Sequence, residues 1–203
     1  METDLAPTPD VSPATTVVGE GPVATVFEVD GDAVKVFEDG FAPGSVAPVH
    51  RAIHAETGRG TLDAPDGREA AYIRSPLARR SLDALVREQS KRSWHETTIL
   101  GVHLAGALQT AHDAGLVHGA VKPTNVLVTD SGDDATESAV LTDFDHGSWR
   151  VAESDRGVLG YVAPEVLDGA AATAAADVYG LGATLVFALS GKAPFTPADG
   201  ETL

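Results

Sequence analysis

The 203-residue sequence contains no cysteine, which excludes disulfide bonds, zinc–thiolate sites and a thiol nucleophile. Aromatic residues are only 5% of the chain, and 14 Lys and Arg stand against 30 Asp and Glu, which gives a net charge of −16. A surface this acidic repels phosphate backbones and anionic lipids. We therefore expect neither nucleic acid nor a membrane surface among the partners of this protein.

Long hydrophobic runs and targeting features are missing as well. The opening residues METDLAPTPDVSPA are acidic and Pro-rich, without the basic and apolar regions of a signal peptide. The most apolar run, Val178 to Leu189, is shorter than the roughly 20 residues that a bilayer requires. These features predict a cytoplasmic protein. The hydrophobic fraction of 43% is nevertheless sufficient for a folded core.

The first third of the sequence predicts a small β-rich part. Residues 1–13 have the Pro, Thr and Asp content of a disordered tail. A short helix is expected from Pro48 to Glu56, where apolar residues recur at helical spacing. β-branched runs separated by Gly-containing turns predict strands over 15–19, 23–29 and 33–37, and a further hairpin around Asp66-Gly67.

From Ser81 onward the pattern becomes helical. Ser93 and Glu96 form a capping-box signature ahead of a leucine stripe, and Gly115 is a suitable end for that helix. Two short strands, 126–128 and 139–141, follow, and a last helix is predicted from about Ala175 to Leu189, ending at Gly191. Strands first and helices later predict an α+β fold in two parts.

Two features of the β-rich part point to phosphate chemistry. Gly19 and Gly21 lie between two predicted strands, where glycine lets a turn pass close to phosphates and direct backbone N–H groups at them. Taken alone, these glycines are a weak signal, because glycine is common in ordinary hairpin turns and that explanation is the more frequent one. Lys35 lies within an apolar strand, so its side chain either faces inward toward an anion or faces outward into solvent.

Polar residues follow the later strands and helices in a suggestive order. The segment HGAVKPTN, residues 118–125, precedes one short strand, and Asp143-Phe144-Asp145 directly follows the next. An Asn and an Asp at paired strand ends supply the oxygen ligands that suit Mg²⁺ bound to nucleotide phosphates. Ala163-Pro164-Glu165 and the segment DVYGLG, which begins at Asp177, complete the series.

Together these segments resemble the eukaryotic-type Ser/Thr protein kinase family: HGAVKPTN is similar to its catalytic loop H-R-D-L-K-P-x-N, and the later segments to its D-F-G and A-P-E motifs. The resemblance implies a two-lobe kinase-like fold, with a β-rich N-lobe over 14–74 and a partial, mainly helical C-lobe over 75–203. It implies ATP with Mg²⁺ or Mn²⁺ as cofactors. It also implies Asn125 and Asp143 as metal ligands, Lys122 as the catalytic-loop lysine, and Gly19, Gly21, Val26, Lys35 and Glu56 at the nucleotide, with Glu56 as the candidate ion-pair partner of Lys35.

The departures from the family pattern lie mainly on the substrate side. Ala120 replaces the Asp that accepts the substrate hydroxyl proton, and a methyl group cannot do this. Gly119 replaces the preceding Arg, and Val158 replaces a Thr that contacts the catalytic Asp. Asp145 stands at the Gly of D-F-G, and Ala24 at the third glycine of the Gly-rich loop. The pattern is typical of a pseudokinase with a usable nucleotide pocket.

Three functions stay open on these residues. The first is a nucleotide-binding pseudokinase with a regulatory or binding role. The second is an active atypical Ser/Thr kinase, because metal and phosphate positioning can persist without a general base. The third is a small-molecule phosphotransferase, to which His118-Gly119 is also similar. The family's last helices have no counterpart here, so we expect a protein partner or self-association at the apolar helix of the truncated C-lobe.

Overall fold

The computed structural model describes residues 8–20, 24–38, 57–77, 80–89, 91–129, 138–144 and 159–195. The chain forms two compact units, Met1–Ala78 and Arg79–Leu203. The helix predicted from Pro48 to Glu56 lies outside the described residues, as do the candidate residues Gly21 and Glu56.

The first unit is a five-stranded antiparallel sheet with the strand order β1-β2-β3-β5-β4. Its strands confirm the three β segments and the later hairpin that the sequence predicts. The bounds are β1 Val17–Glu20, β2 Ala24–Val29, β3 Asp32–Phe37, β4 Gly58–Asp63 and β5 Glu69–Pro76.

A two-residue turn, Asp30-Gly31, fixes the register of β2 against β3. Both residues have positive φ, 53° and 82°, which is the backbone geometry of a type I′ hairpin turn. Glycine tolerates this region without steric cost, and Asp is one of the few other residues that enter it. The turn pairs Val29 with Asp32, and that register sets every later pairing of the two strands.

One face of the sheet carries the core of the first unit. Its apolar side chains come from β2 to β5 and from a segment before β1. That segment includes Val11, which is only 5% exposed. The disordered tail predicted for residues 1–13 is therefore incorrect at Val11. The Pro-rich, acidic composition of the segment does not show that this isolated valine packs against a distant sheet. The core residues are Val11, Phe27, Val29, Val34, Val36, Leu62, Ala64, Ala70 and Tyr72.

The second unit is mainly helical around a small antiparallel sheet of the order β6-β7-β8. It contains β6 Arg80–Ser81, α1 Leu82–Gln89, α2 Trp94–Asp113, a 3-10 turn Pro123–Asn125, β7 Val126–Thr129, β8 Ser138–Leu141, α3 Pro164–Leu167 and α4 Ala174–Ser190. None of the helices within the described ranges is long and apolar enough to cross a membrane.

The ends of α2 and α4 confirm the signals in the sequence. The Ser93 hydroxyl accepts the Glu96 N–H while the Glu96 carboxylate accepts the Ser93 N–H, so the predicted capping box is present. Helix α4 begins after Thr173 and ends at Gly191, whose φ of 74° closes the helix and directs its N–H to Phe187 O at 2.8 Å.

Helix α4 packs against α2 on one side and exposes valines on the other. Its buried face includes Ala183 and Phe187, whereas Val178 is 60% exposed and Val186 44% exposed. The Arg92 N–H, just before α2, donates to Ala188 O at 2.7 Å and ties the two helices together near one end. The partner or second copy expected at this surface stays a prediction.

We predict that Val11 stabilises the sheet of the first unit. Val11→Ala should lower the free energy of unfolding by about 1–2 kcal/mol, because two buried methyl groups are lost from a packed core. Val18→Ala is the matched control, since Val18 is already 46% exposed in β1 and its truncation should cost less than about 0.5 kcal/mol. Urea denaturation of both variants measures the difference, and equal effects would contradict the core position of Val11.

Candidate functional site

In the first unit, three candidate nucleotide residues lie in a single row across the sheet. Gly19 pairs with Val26 between β1 and β2, and Val26 pairs with Lys35 between β2 and β3. A register shift between Val17 and Gly19 brings Gly19 into this row. Ile73 of β5 continues the row beyond Lys35. Because directly paired residues share a face of an antiparallel sheet, the Val26 and Lys35 side chains are neighbours.

Lys35 lies on the face of β3 opposite the core. Its strand neighbours Val34 and Val36 are 0% and 2% exposed and pack into the core, so the pleat turns Lys35 to the other side. The side chain is half-buried, with Nζ 5.4 Å from the centroid of the Phe37 ring. Lys35 therefore lies outside the core that Val34 and Val36 enter, on the face that it shares with Val26.

In the second unit, a buried carboxylate organises the loop after α2. Asp177, in the first turn of α4, is 1% exposed. Its Oδ2 accepts the His118 N–H at 2.8 Å, and its Oδ1 accepts the Gly119 N–H at 2.7 Å. Hydrogen bonds to a charged acceptor are short and roughly twice as strong as neutral ones. The backbone at the start of the HGAVKPTN segment is therefore fixed by one side chain.

His118 is held as a neutral ring by its partners. Its Nδ1 accepts the Ala120 N–H at 3.1 Å, so the ring proton lies on Nε2, which donates to Thr142 O at 2.8 Å. The ring packs against Phe144, with the centroids 4.4 Å apart. Burial lowers the pKa of His118, although the bond to Thr142 and the nearby Asp177 carboxylate act in the opposite direction.

Asn125 is oriented by the backbone of residue 120. The Asn125 Nδ2 donates to Ala120 O at 2.9 Å, and the residue is only 5% exposed. Its Oδ1 receives a long contact of 3.5 Å from the Thr124 hydroxyl. Lys122 precedes the 3-10 turn and accepts the Asn125 N–H through its carbonyl at 3.0 Å. Because the Asn125 amide is planar, the hydrogen bond made by Nδ2 also fixes the direction of Oδ1.

The register of β7 and β8 brings Asn125 beside the residue before Asp143. Val126 pairs with Leu141, so the two strand ends meet as the sequence predicts. Thr142 donates to Asn125 O twice, from its N–H at 2.8 Å and from its hydroxyl at 3.2 Å. Asp143 follows with a φ of 68°, a left-handed conformation that costs a non-glycine residue energy and is concentrated at functional sites.

The donors on these two strand ends fit a divalent cation of the hard type. An amide oxygen and a carboxylate are the ligands that Mg²⁺ takes from proteins, usually one or two carboxylates completed by phosphate and water. Among the described residues, no group of three or more His, Cys, Asp or Glu side chains is placed to hold a metal ion.

Two contributors to this site were not singled out from the sequence. His112, in the last turn of α2, donates from Nε2 to Asp177 Oδ2 at 2.8 Å. Thr142 joins His118 to Asn125 through its carbonyl, N–H and hydroxyl. A signal for His112 was available, since it lies one turn beyond Leu108 on the buried stripe of α2. The candidates Gly21, Glu56, Asp145 and Val158 lie outside the described residues.

Gly180 lets α4 approach the loop closely. A Cβ added at this position would lie 2.8 Å from Val121 O and 3.0 Å from Val121 Cβ. Real Cβ atoms do not approach backbone oxygens this closely, so any side chain at 180 would push the loop away from the helix. The absence of a side chain at Gly180 therefore sets the distance between α4 and the segment that carries Asn125.

We predict opposite effects for two glycine substitutions in α4. Gly180→Ala should lower the free energy of unfolding by about 1–3 kcal/mol, because overpacking against Val121 outweighs the gain in helix propensity. Gly182→Ala, with nothing within 4 Å of the added Cβ, should raise it by about 0.5–1 kcal/mol. Thermal or urea denaturation checks both, and a stabilising Gly180→Ala would contradict the close approach.

We also predict a pH dependence that belongs to His118. Its folded-state pKa is lowered, so below about pH 6.5 the unfolded chain binds a proton that the folded chain excludes. The free energy of unfolding should therefore fall on acidification, by up to about 1.4 kcal/mol per pH unit from this residue. Urea titrations between about pH 7.5 and 5.5 should show a shallower dependence in His118→Gln, which has no ring to titrate. Identical slopes for the two proteins would refute this.

Several known proteins are similar in sequence to this chain. A family model described as "Protein kinase domain" matches residues 65–203. The serine/threonine-protein kinase PknK of Mycobacterium tuberculosis is 46% identical over 131 residues, which cover 61% of this chain and 11% of that protein. The serine/threonine-protein kinase AfsK of Streptomyces griseus is 35% identical over 130 residues, 64% of this chain and 16% of that protein. This chain therefore spans only a small part of the length of these relatives.

A solved structure shows the same fold. The crystal structure of Rad53 1-466 in complex with AMP-PNP aligns with a TM-score of 0.63 over 90% of this chain and 49% of that chain. The sequence identity is 22%, so the likeness extends to the fold alone. The α+β architecture predicted from the sequence is confirmed.

Proposed function

Because this chain belongs to the protein kinase family, we propose that it is a nucleotide-binding, kinase-like domain with a regulatory or binding role, a pseudokinase. The observation that carries the proposal is the hydrogen bond from Asn125 Nδ2 to Ala120 O. Ala120 stands where the family has the Asp required for proton transfer. Its carbonyl nevertheless binds the side-chain amide of Asn125, the proposed metal ligand. At residue 120, therefore, the backbone contact to Asn125 is present while the side chain needed for proton transfer is absent.

Support for nucleotide binding comes from residues in both units. In the first, we propose that Lys35, Val26 and the glycines 19 and 21 bind ATP, with the lysine at the phosphates. In the second, we propose that Asn125 and Asp143 bind Mg²⁺ or Mn²⁺, and that Lys122 lies at the transferred phosphate. The ion, when bound, would offset phosphate charge. An anchored Asn125, a left-handed Asp143 and the face-sharing pair of Val26 and Lys35 support these roles.

Support for impaired catalysis comes from the position of Ala120. Its N–H donates to His118 Nδ1, and its carbonyl accepts from Asn125 Nδ2, so the backbone there is well defined. Only the side chain differs from the carboxylate that proton transfer requires. Loss of a general base costs typically 10²–10⁴-fold in rate. Gly119, with a φ of 74° and its N–H bound to Asp177, carries no guanidinium that could couple to a phosphorylated segment.

Two other functions compete with this one. An active atypical Ser/Thr kinase would transfer phosphate slowly to protein, using position and electrostatics alone. A small-molecule phosphotransferase would transfer it to an amine or alcohol, and His118-Gly119 is compatible with that class. Ala120 removes the catalytic Asp in both cases. Transfer of labelled γ-phosphate to protein or to small amines would distinguish these functions from each other and from the pseudokinase.

We predict that ATP stabilises the protein, and more strongly with Mg²⁺ or Mn²⁺ than without. A ligand at 100 times its dissociation constant adds about 2.7 kcal/mol to the free energy of unfolding, which a thermal-shift titration detects easily. Asp143→Asn should remove the metal-dependent part of the shift, because the amide keeps the shape of the side chain and loses its charge. Asp63→Asn, an exposed position in β4, is the control and should leave the shift unchanged. Absence of any shift at millimolar ATP, with or without metal, would sink the proposal.

We predict that Ala120→Asp alone does not restore a kinase rate of the usual 1–100 s⁻¹. The introduced carboxylate lacks the family's Thr, since residue 158 is Val, and a misplacement of about 1 Å can cost around 10²-fold. The double change with Val158→Thr should exceed either single variant and still remain slow. The measurement is γ-phosphate transfer to generic protein substrates and to the chain itself. Rapid turnover by Ala120→Asp alone would show that the surroundings are intact and the protein is one substitution away from an active kinase.

A further inference from the structure

The first unit has a cavity on the face of the sheet opposite Lys35. Its volume is about 160 Å³, and it lies where β2 begins and β3 ends, beside the turn that joins β4 to β5. Thr25 and Val36 line it and are paired across the two strands, so they share a face, and Val36 belongs to the core on that face. None of the described residues that line the cavity has a role in the proposed nucleotide or metal site.

The buried part of the lining is apolar. Phe27, Val36 and Ala64 are 7%, 2% and 5% exposed, and all three belong to the core of the first unit. An apolar cavity of about 150 Å³ is large enough to bind one benzene ring. The cavity in this sheet therefore has the size and the lining for a single aromatic side chain.

One wall of the cavity is an arginine that is held by three acceptors. Arg68 donates from Nε to Asp66 Oδ2 at 2.9 Å. Its two terminal nitrogens donate to Phe37 O at 2.8 Å and to Glu38 Oε2 at 3.0 Å. A guanidinium fixed in this way directs N–H groups at protein acceptors in its own plane, and its flat face is what it offers to a ring. Because these contacts lie within the protein, the wall is formed before a ligand binds, which lowers the entropy cost of binding.

The rim of the cavity is acidic. The Glu38 and Asp66 side chains are 44% and 60% exposed, and these two carboxylates against the one guanidinium of Arg68 leave one excess negative charge. The whole chain carries a net charge of −16. A basic segment is attracted to this rim, whereas an acidic segment or a second copy of the chain is repelled. Charge therefore favours a basic partner as the occupant.

We propose that this cavity is a docking site for a partner segment in which one aromatic side chain is flanked by Lys or Arg. The ring enters beside Phe27 and against Arg68, and the flanking cations lie at the acidic rim. The site is separated from the proposed nucleotide face by β3, since Val36 and Lys35 lie on opposite faces of that strand. The inference goes beyond the proposed function, because it assigns a class of partner without using nucleotide or metal.

The test is an NMR titration of the whole chain with the peptide acetyl-Gly-Lys-Phe-Lys-Gly-amide. One comparison peptide carries Ala in place of Phe, and another carries Glu in place of both Lys. The reporters are the Gly67 N–H, which donates to Ala64 O at 2.8 Å, and the Arg68 N–H, which donates to Asp66 Oδ1 at 3.1 Å. NOE contacts between the peptide ring and the Val36 methyl groups locate the ring.

A first variant fills the cavity. Thr25→Tyr places a ring in it from its own wall, and a β-strand tolerates an aromatic residue well. Thr61→Tyr is the matched control, since it adds the same ring at an exposed position of β4. Leu62 enters the core, so the neighbouring Thr61 lies on the opposite face of the sheet.

A second variant removes charge from the rim. Glu38→Gln takes away one negative charge and keeps an oxygen that accepts from Arg68. Glu69→Gln is the matched control, an exposed acid at the start of β5. Ala70 enters the core, which puts Glu69 on the face away from the cavity.

The Phe peptide should give saturable shifts at the two reporters and NOE contacts to Val36. Thr25→Tyr should weaken its affinity by at least about 10-fold, because the ring is the buried anchor of the interaction. Glu38→Gln should weaken it by about 3-fold at about 50 mM NaCl and by less at about 500 mM, because salt screens an exposed charge. Both control variants should match the parent chain, and neither comparison peptide should give saturable shifts.

Equal binding of the Ala peptide would reduce the effect to general attraction by an acidic protein and overturn the inference. Parent-like affinity of Thr25→Tyr, or displacement of the peptide by ATP, would place the peptide elsewhere and also overturn it. Shifts at the reporters on dilution of the chain alone would identify a second copy as the occupant and overturn the choice of a basic partner. Failure of the parent chain to bind ATP would remove the proposed function and leave the outcome of the peptide titration intact.

Discussion

The buried carboxylate of Asp177 is the interaction on which the second unit depends. It accepts two backbone N–H groups of the loop and one imidazole N–H of α2, so a single side chain of α4 joins three segments that are distant in sequence. A buried charge of this kind costs desolvation energy, and its bonds have to be complete for the fold to tolerate it. Specificity of the loop conformation, more than net stability, is what such an arrangement supplies.

The same arrangement explains why a change of the side chain at position 120 need not disturb the loop. Asp177 and Asn125 bind the backbone of residues 118–120, and the side chain at 120 takes no part in these contacts. A change from Asp to Ala there removes a chemical group and leaves the main-chain hydrogen bonds in place. Loop geometry and proton transfer are therefore separable, and a domain of this family can lose one while it retains the other.

Much of the architecture could be predicted because it is encoded locally. The capping box at Ser93 and Glu96, the leucine stripe of α2 and the stop at Gly191 each depend on a few neighbouring residues. The two ends of the β7–β8 hairpin were expected to meet, and the pairing of Val126 with Leu141 confirms it. Kinase motifs in the right order were enough to indicate the fold.

What the sequence did not reveal depends on contacts between distant segments. Val11 enters the core although its surroundings have the composition of a tail, and no local pattern marks the sheet that receives it. The row of Gly19, Val26 and Lys35 relies on a register shift near Val17 that composition does not encode. His112 was overlooked because its partner lies 65 residues away, and a histidine on a helix usually needs no special partner.

The alternation along β3 has a consequence for how this domain can change over time. Val34 and Val36 secure the strand on one face, and Lys35 between them contributes to the other. Selection for folding therefore acts on Val34 and Val36, and under the proposed function selection for ligand binding acts on Lys35, with little conflict between the two. Asn125 would have no such freedom, because its side chain ties the loop together and, under the proposed function, also offers its amide oxygen to a metal ion. A lineage that abandons nucleotide binding should lose the lysine early and keep the asparagine long after its ligand is gone.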